Sequence, residues 1–221
     1  MNYLAHGYCY VDRPYFLAGT ALPDWLRVCG RRLRPSAVGA SRGVVSREGG
    51  APGELSRELA SGSERHYHDD FEFHTQAGFL EVSRQVTAGI RSRFPERRRL
   101  RRSFLGHVLT EMLLDSFLAK SRPDLLYRYY DALETIDSEE VQSVANGWLA
   151  RSTDRLASVI GAFRRHRFLW DYLDDRGLSY RLGQVTRRVG LPELPPTFVD
   201  VVSEARELVE RRSGELLRDT V

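Results

Sequence analysis

The chain has 221 residues, of which 42% are hydrophobic and 29% are charged, and its net charge is +3. This length fits one domain with a sizeable core, and so mild a charge counts against nucleic acid as the main partner. The sequence contains no apolar stretch near the roughly 18 residues of a membrane-spanning helix, and its first residues lack the pattern of a signal peptide. We therefore expect a cytoplasmic, single-domain protein (residues 1–221) without a membrane partner.

The fold class that we predict is all-α, a helical bundle, because apolar residues recur with helical spacing and no long stretch alternates as a strand does. The predicted helices cover about 15–29, 54–93, 96–119, 125–135, 138–149, 153–174, 180–189 and 197–218. Pro23 should kink or restart the first helix, and the second is either one long helix or two that join near Gly62. Residues 30–53 are rich in Arg, Gly, Ser and Pro, which predicts a flexible loop or an insertion.

His107, Glu111 and Asp115 follow one another at intervals of four residues. On a helix this spacing places all three on one face, and imidazole together with carboxylate suits a divalent transition metal. Because the surrounding residues are apolar, we expect the polar stripe to face a cleft in the core. A hydrated face with ordinary i,i+4 pairing is the alternative at this point.

A second run with the same spacing comprises His66, Asp70 and His74. It overlaps the adjacent pair His68 and Asp69, and adjacent His-Asp pairs bind metal in one large class of helical phosphohydrolases. Since His66 and Asp70 form the better helical pair, we expect His68 and Asp69 to point elsewhere. The alternative is a solvent-facing polar patch.

His6 and Asp24 stand in otherwise apolar segments. Each has an ordinary explanation, since a single His is often a hydrogen-bonded core residue and an Asp after a proline often caps a helix. Two titratable groups in such surroundings nevertheless make a functional site more plausible.

A run of arginines, which includes Arg98, Arg101 and Arg102, precedes the His107 stripe. Cations near a helix N-terminus are unfavourable to the helix dipole, so helix propensity does not account for them. They indicate either a binding site for phosphate or an acidic partner, or a solvated charged turn.

The opening MNYLAH, followed by FLAGTALPDWLR, resembles the start of the acyl carrier protein phosphodiesterase family, which typically reads MNFLAH. Gly62, His66 and Asp70 are similar to the family's G-x-x-x-H-x-x-I-D segment. The segment DSFL that begins at Asp115 resembles its D-H-F-L segment, and Glu111 falls where the family has another acid one turn earlier. The agreement covers roughly residues 1–120.

The resemblance implies a divergent His-Asp phosphohydrolase with an HD-domain-like helical fold and a divalent metal, with manganese expected first and magnesium or iron as alternatives. It also implies an enzyme that removes 4′-phosphopantetheine from holo-acyl carrier protein, which would be its partner. The residues that we assign to metal binding are His66, Asp70, Asp115 and His107. Those assigned to catalysis are His6, Asp24 and Glu111, and those assigned to substrate binding are Arg98, Arg101 and Arg102.

The chain departs from the family pattern at several positions. Thr20 replaces an Asn, Ser116 replaces the His after the acid, His74 stands in place of an Asp, and His107 has no family counterpart. These changes bear on the substrate more than on the metal. Two alternatives therefore stay open: a phosphohydrolase of a nucleotide or another small phosphoester, and a non-catalytic helical binding protein with a vestigial site.

Overall fold

The structure, a computed structural model, describes residues 3–30, 33 and 53–217, without the side chain of Arg98. All regular structure in these residues is helical, which confirms the predicted all-α class. The α-helices in chain order are α1 (Tyr3–Gly7), α2 (Pro14–Cys29), α3 (Glu54–Thr75), α4 (Ala77–Arg93), α5 (Arg102–Ser121), α6 (Leu125–Glu134), α7 (Ser138–Trp148), α8 (Leu156–His166), α9 (Asp175–Arg188) and α10 (Phe198–Leu216). Short 3₁₀ helices cover Tyr8–Tyr10, Arg98–Leu100 and Phe168–Leu173.

The contacts divide the chain into two compact units, each assembled from separated stretches. The first unit comprises Met1–Ala5, Phe71–Pro123 and Phe168–Val221, and the second comprises His6–Asp70 and Asp124–Arg167. That the whole chain forms one domain, and that it resembles the HD-domain fold, stay predictions. The predicted loop at 30–53 lies almost entirely outside the described residues.

In the first unit, α4, α5 and α10 pack against one another, and α9 packs on α10 and on the 3₁₀ helix Phe168–Leu173. The fully buried apolar residues at these contacts include Val82 and Ile90 of α4, Leu109 of α5 and Val202 and Val209 of α10. They recur at helical spacing along each element, so each helix presents one apolar stripe to the others. This packing holds α5, which carries the predicted His107 stripe, between two neighbours.

In the second unit, α2 packs on α6 and α8, and α7 packs on α8. Aromatic side chains fill this core: the ring of Trp25 meets that of Phe163 edge-on at 5.5 Å, and Tyr130 lies 5.7 Å from the same ring. Arg155 donates from Nη1 to the backbone carbonyl oxygen of Cys29 at 2.7 Å, which satisfies a free carbonyl at the end of α2.

The first predicted helix is confirmed as α2, which runs through Pro23 without restarting. Other predicted helix boundaries are wrong, each for a local reason. The long 54–93 segment breaks at Gln76, whose backbone is extended (φ −66°, ψ 135°), and not at Gly62. Arg101 (φ 46°) and Arg167 (φ 41°) adopt left-handed conformations, and helices begin or end beside them.

Of the helices described, none combines the length and the apolar character that crossing a bilayer requires.

Candidate metal centres

Three sets of His and carboxylate side chains among the described residues have the chemistry to hold a metal ion. Two of them contain two imidazoles each, and the third consists of His68, Asp69 and Glu72. The first, which we call the His6 group, consists of His6, His66 and Asp70 of the second unit, with one ligand atom from each lying within 4.8 Å of the others. Both imidazoles are buried, whereas the Asp70 side chain is 27% exposed. The group therefore reaches solvent through its carboxylate.

His66 is positioned by the crossing of α2 and α3. The helices touch at Gly19 and Gly62, where a Cβ added to Gly62 would lie 2.9 Å from the Cα of Gly19, so this approach requires glycine. Beside the crossing, Nδ1 of His66 lies 2.8 Å from the backbone carbonyl oxygen of Thr20, to which it donates when it carries the proton. That bond fixes the ring and leaves Nε2 to serve as a ligand.

His6 lies between two carboxylates. Its Nε2 is 3.5 Å from Oδ1 of Asp70, and its Nδ1 is 3.6 Å from Oδ2 of the buried Asp69. The other oxygen of Asp69 lies 2.7 Å from Nε of Arg65, one turn earlier on α3. A carboxylate behind an imidazole is the arrangement that orients metal-ligating histidines. Asp69 thus does not point away from the site, as the sequence led us to expect, while His68 is 59% exposed and its Nδ1 lies 3.9 Å from Oδ1 of Asp69.

The two buried imidazoles of this group have opposite electrostatics. Burial by itself would lower the pKa of His6, but the carboxylates of Asp69 and Asp70 outweigh it and raise the pKa to about 9. Burial lowers the pKa of His66 to about 4, and the positive charge of His6 adds to the effect. Their ring centroids are 4.3 Å apart. Without a metal, the pair therefore carries one positive charge at neutral pH, on His6, and presents a neutral ring at His66.

The second set, which we call the His74 group, lies in the first unit and consists of His74, His107 and Glu111. Nε2 of His74 is 2.9 Å and Nε2 of His107 is 3.2 Å from the same oxygen, Oε1 of Glu111. Glu111 is buried, whereas the His74 and His107 side chains are 29% and 38% exposed. This group therefore reaches solvent through its imidazoles.

The rings of the His74 group pack against the ring of Phe79, which we call the aromatic wall. The buried ring of Phe79 lies 5.2 Å from that of His74 and meets that of His107 edge-on at 5.0 Å. The close packing of α4 on α5 is set beside His107 by Gly106, where an added Cβ would meet the hydroxyl of Thr87. The wall and the crossing restrict the rotamers of both rings, which is what a preorganised site requires.

Glu111 is ionised despite its burial. Burial by itself would raise its pKa, but nearby positive charge and the hydrogen bonds with His107 and His74 hold the pKa well below its usual value. A carboxylate ligand must be deprotonated, so Glu111 is in the form that a metal needs.

Asp115, which we assigned to metal binding, is fully buried and belongs to neither of these two groups. Its Oδ1 accepts a hydrogen bond of 2.9 Å from the backbone N–H of Ala5. Buried carboxylates commonly serve such structural bonds, and this one ties the start of the chain to α5 within the first unit.

Ser116, where the family has a His, is part of a buried network in the first unit. Its hydroxyl donates to the carbonyl oxygen of Tyr172 at 2.6 Å and accepts from Nη1 of Arg206, while Nε of Arg206 donates to Asp175 at 2.6 Å. An imidazole would not fit this fully buried position. The departure at Ser116 is therefore explained by packing of α5 against its neighbours.

The remaining predicted residues are placed as follows. Asp24 is buried on α2, with Nη1 of Arg27 3.8 Å from its Oδ1, and its charge acts on His66. Arg102 donates to the carbonyl oxygens of Phe94 (2.8 Å) and Pro95 (2.6 Å), so it closes the turn before α5. Any role in substrate binding would compete with these bonds.

The rest of the arginine run gives less support to a phosphate site. The guanidinium of Arg101 lies over the ring of Phe104 at 5.8 Å, and the side chain of Arg98 lies outside the described residues. Substrate binding by these residues stays a prediction. A pocket in the same region is lined by Glu96, Arg97, Arg99, Leu100 and Pro192, none of which belongs to either donor group.

The donor chemistry fits a transition metal. The His6 and His74 groups each offer two imidazole nitrogens and one carboxylate oxygen, a set that suits zinc, iron, cobalt or nickel. Magnesium prefers oxygen ligands alone, so it fits both groups poorly. Manganese, which the resemblance implies, binds nitrogen-containing sets more weakly than zinc or iron does.

Comparison of the chain with protein-family models, with curated proteins and with solved structures yields no match. The resemblance described above therefore rests on its motifs alone.

Several residues of these groups are not in the set that the sequence predicted. His74 shares the spacing of His66 and Asp70 and was visible in the pattern, but its ligand partners lie on another helix, α5. Asp69 was visible in the adjacent His68-Asp69 pair but was expected to point elsewhere, and Arg65 carries only the i,i+4 charge signal, which is typical of any exposed helix. The contact of the Thr20 carbonyl with His66 cannot be predicted from the sequence, because every residue has a backbone carbonyl.

Proposed function

We propose that this protein is a metal-dependent phosphoester hydrolase whose metal is held by the His6 group. One observation carries the proposal: the three residues of the group are among those that the resemblance marks, and they converge from α1 and α3 onto a single small volume. In this proposal His6 becomes a metal ligand rather than the catalytic residue that the sequence suggested.

A divalent transition metal, when bound there, supplies Lewis-acid polarisation of a phosphoryl oxygen and activation of water. The chain supplies the geometry. The Thr20 carbonyl orients His66, and Asp69, itself held by Arg65, orients His6. The partly exposed Asp70 leaves the solvent side of the group accessible to a substrate.

Asp24 and Arg27 complete the proposed site. Asp24 is a buried carboxylate within electrostatic reach of His66, which suits a general acid or base. Arg27 pairs with it at 3.8 Å through a half-exposed side chain. A guanidinium that is partly free in solvent can turn to a phosphoryl oxygen of the substrate. Because Arg27 lies in the same unit as the His6 group, it is a better candidate for this role than the arginine run.

The test uses the full chain, stripped of metal and then loaded with Mn²⁺ or Co²⁺. Three substrates separate the alternatives: holo-acyl carrier protein, a nucleoside monophosphate and bis(4-nitrophenyl) phosphate. Release of 4′-phosphopantetheine from the carrier protein is the expected result. Hydrolysis of the nucleotide or of the synthetic diester, without release from the carrier protein, would keep the class and change the substrate.

The matched control is His166→Ala, since His166 is an exposed imidazole in the last turn of α8 and belongs to no donor group of the described residues. His166→Ala should retain full activity, whereas His66→Ala should lose it. Absence of metal-dependent hydrolysis of all three substrates would overturn the proposal.

A non-catalytic role is favoured by one observation. His6 already has Asp69 and Asp70 as charge partners, so the group is electrostatically satisfied by a proton on His6. A vestigial site in a helical binding protein would look the same. Added Co²⁺ decides between them: ligand that binds the native state raises the melting temperature by mass action, and an unchanged melting temperature would support the vestigial alternative.

A further inference from the structure

We propose that the His74 group is a second metal site of the His₂Glu type, separate from the site proposed for hydrolysis. Its ligands are Nε2 of His74, Nε2 of His107 and Oε1 of Glu111. The two groups share no residue, and the His74 group lies wholly within the first unit. The resemblance marks Glu111 but neither His74 nor His107, so both imidazoles of this site lie outside the family pattern.

Three donor atoms converge in the His74 group. Both imidazoles direct the same nitrogen, Nε2, to the same carboxylate oxygen, at 2.9 and 3.2 Å. A tetrahedral ion with bonds of about 2.0–2.1 Å would hold its ligand atoms about 3.3 Å apart. The two nitrogen–oxygen distances thus need to lengthen by only a few tenths of an ångström to admit an ion, and the ligand atoms all lie within 4.8 Å of one another.

Hydrogen bonding alone does not require both rings to share one oxygen. A carboxylate has two oxygens, so two imidazoles could each use one of them. Here both Nε2 atoms meet at Oε1, and the rings have centroids 4.6 Å apart and planes inclined by 41°. This convergence brings two imidazole nitrogens and one carboxylate oxygen, the donors that suit a transition metal, to within 4.8 Å of one another.

The ligands of the His74 group are also held in place by the packing around them. Glu111 is buried in α5, one turn after His107, and Phe79 supports both rings from α4. His74 comes from the last turn of α3. Ligands on two helices, α3 and α5, backed by an aromatic side chain of α4, keep their positions better than ligands on loops.

The site is open on one side. With three protein ligands and partly exposed imidazoles, at least one coordination position faces solvent, as in catalytic sites and unlike closed four-ligand structural sites. Zinc, cobalt and ferrous iron are the ions that this donor set takes best. We therefore infer an exchangeable metal with room for a small external ligand.

The experiment counts bound Co²⁺ and records its visible spectrum in the full-length protein. Wild type should bind two equivalents, one for each group, and His107→Ala should bind one. Asp70→Asn should also bind one, lost from the other group, and the double variant should bind none. The exposed His166→Ala serves as the control and should bind two.

Because His107 is partly exposed, His107→Ala should fold, which circular dichroism and the melting temperature verify. His74→Ala provides a second test at the other exposed ring.

Azide added to Asp70→Asn, which retains only the His74 group, should change the Co²⁺ spectrum if the site is open. If His107→Ala and His74→Ala each still bind two equivalents of Co²⁺, the proposal is overturned. If wild type binds one equivalent of Co²⁺ and only Asp70→Asn removes it, the proposal is overturned as well. If wild type binds one equivalent and only His107→Ala and His74→Ala remove it, the second site is supported and the proposed hydrolytic site is not.

Discussion

The His6 and His74 groups contain the same ligand types in opposite environments. In the second unit the two imidazoles are buried and the carboxylate reaches solvent, whereas in the first unit the carboxylate is buried and the imidazoles reach solvent. Burial disfavours the charged form of any group. Each unit therefore has to stabilise a different buried partner: an imidazolium in one and a carboxylate in the other.

The two units meet this need in different ways. In the His6 group, Asp69 and Asp70 supply negative charge to His6, and Asp69 is in turn bound by Arg65. In the His74 group, nearby positive charge and the hydrogen bonds with His107 and His74 stabilise the Glu111 carboxylate. The properties of the His6 group should depend on Asp69 and Arg65, which lie outside its donor set.

The strongest test of the difference is Asp70→Asn. Asp70 is the only carboxylate of the His6 group, so its loss should reduce kcat/KM for the phosphoester by more than about 100-fold, since replacing even an outer partner of a metal ligand costs 10–100-fold. Steady-state kinetics at saturating Co²⁺ measures it. A loss below tenfold would mean that the His6 group is not the hydrolytic site.

The helix crossings provide the next test. An alanine at Gly62 would collide with the backbone of Phe16 and Gly19, so Gly62→Ala should cost about 3 kcal/mol of the free energy of unfolding, the upper end of overpacking effects. Gly106→Ala should cost somewhat less, about 2 kcal/mol, because the nearest atom is the hydroxyl of Thr87. Denaturant titration measures both.

Gly89 is the matched control for these glycines. It lies within α4, and an added Cβ would meet nothing within 4 Å. Gly89→Ala should therefore stabilise the protein by about 0.5–1 kcal/mol, because alanine loses less backbone entropy on folding. A destabilised Gly89→Ala, or a neutral Gly62→Ala, would contradict the packing described here.

A smaller effect is expected from the partner behind His6. Asp69→Asn keeps the shape but removes the charge that faces Nδ1 of His6, so the affinity of the His6 group for Co²⁺ should fall by about 10–100-fold. Calorimetric titration in the His107→Ala background isolates this group. The affinity of the His74 group, measured in Asp70→Asn, should not change when Asp69→Asn is added.

The smallest effect is expected at the aromatic wall. Phe79→Leu keeps an apolar residue against His74 and His107 but loses the edge-on ring contact, so it should cost about 1 kcal/mol of stability. Co²⁺ affinity of the His74 group should fall by less than tenfold. A loss as large as that of Asp69→Asn would show that the wall orients these ligands as strongly as a charge does.

Much of the fold was accessible from the sequence. The all-α class and most helices followed from apolar spacing, because the helical period is a local property. The start of α5 did not, since Arg101 adopts a left-handed conformation that is rare for a non-glycine residue. Nor did the break at Gln76, which carries no Pro or Gly signal.

For the candidate sites, the sequence determined which residue types stand on one helical face: His66 with Asp70, and His107 with Glu111. It could not determine what meets those faces, because the partners His6 and His74 come from other elements and only packing brings them near. The tertiary structure also decided that Asp115 anchors Ala5 and that Asp69 faces His6. The physical reason is that helical spacing is set by backbone hydrogen bonds within one segment, whereas a metal site is set by contacts between segments that the local sequence does not encode.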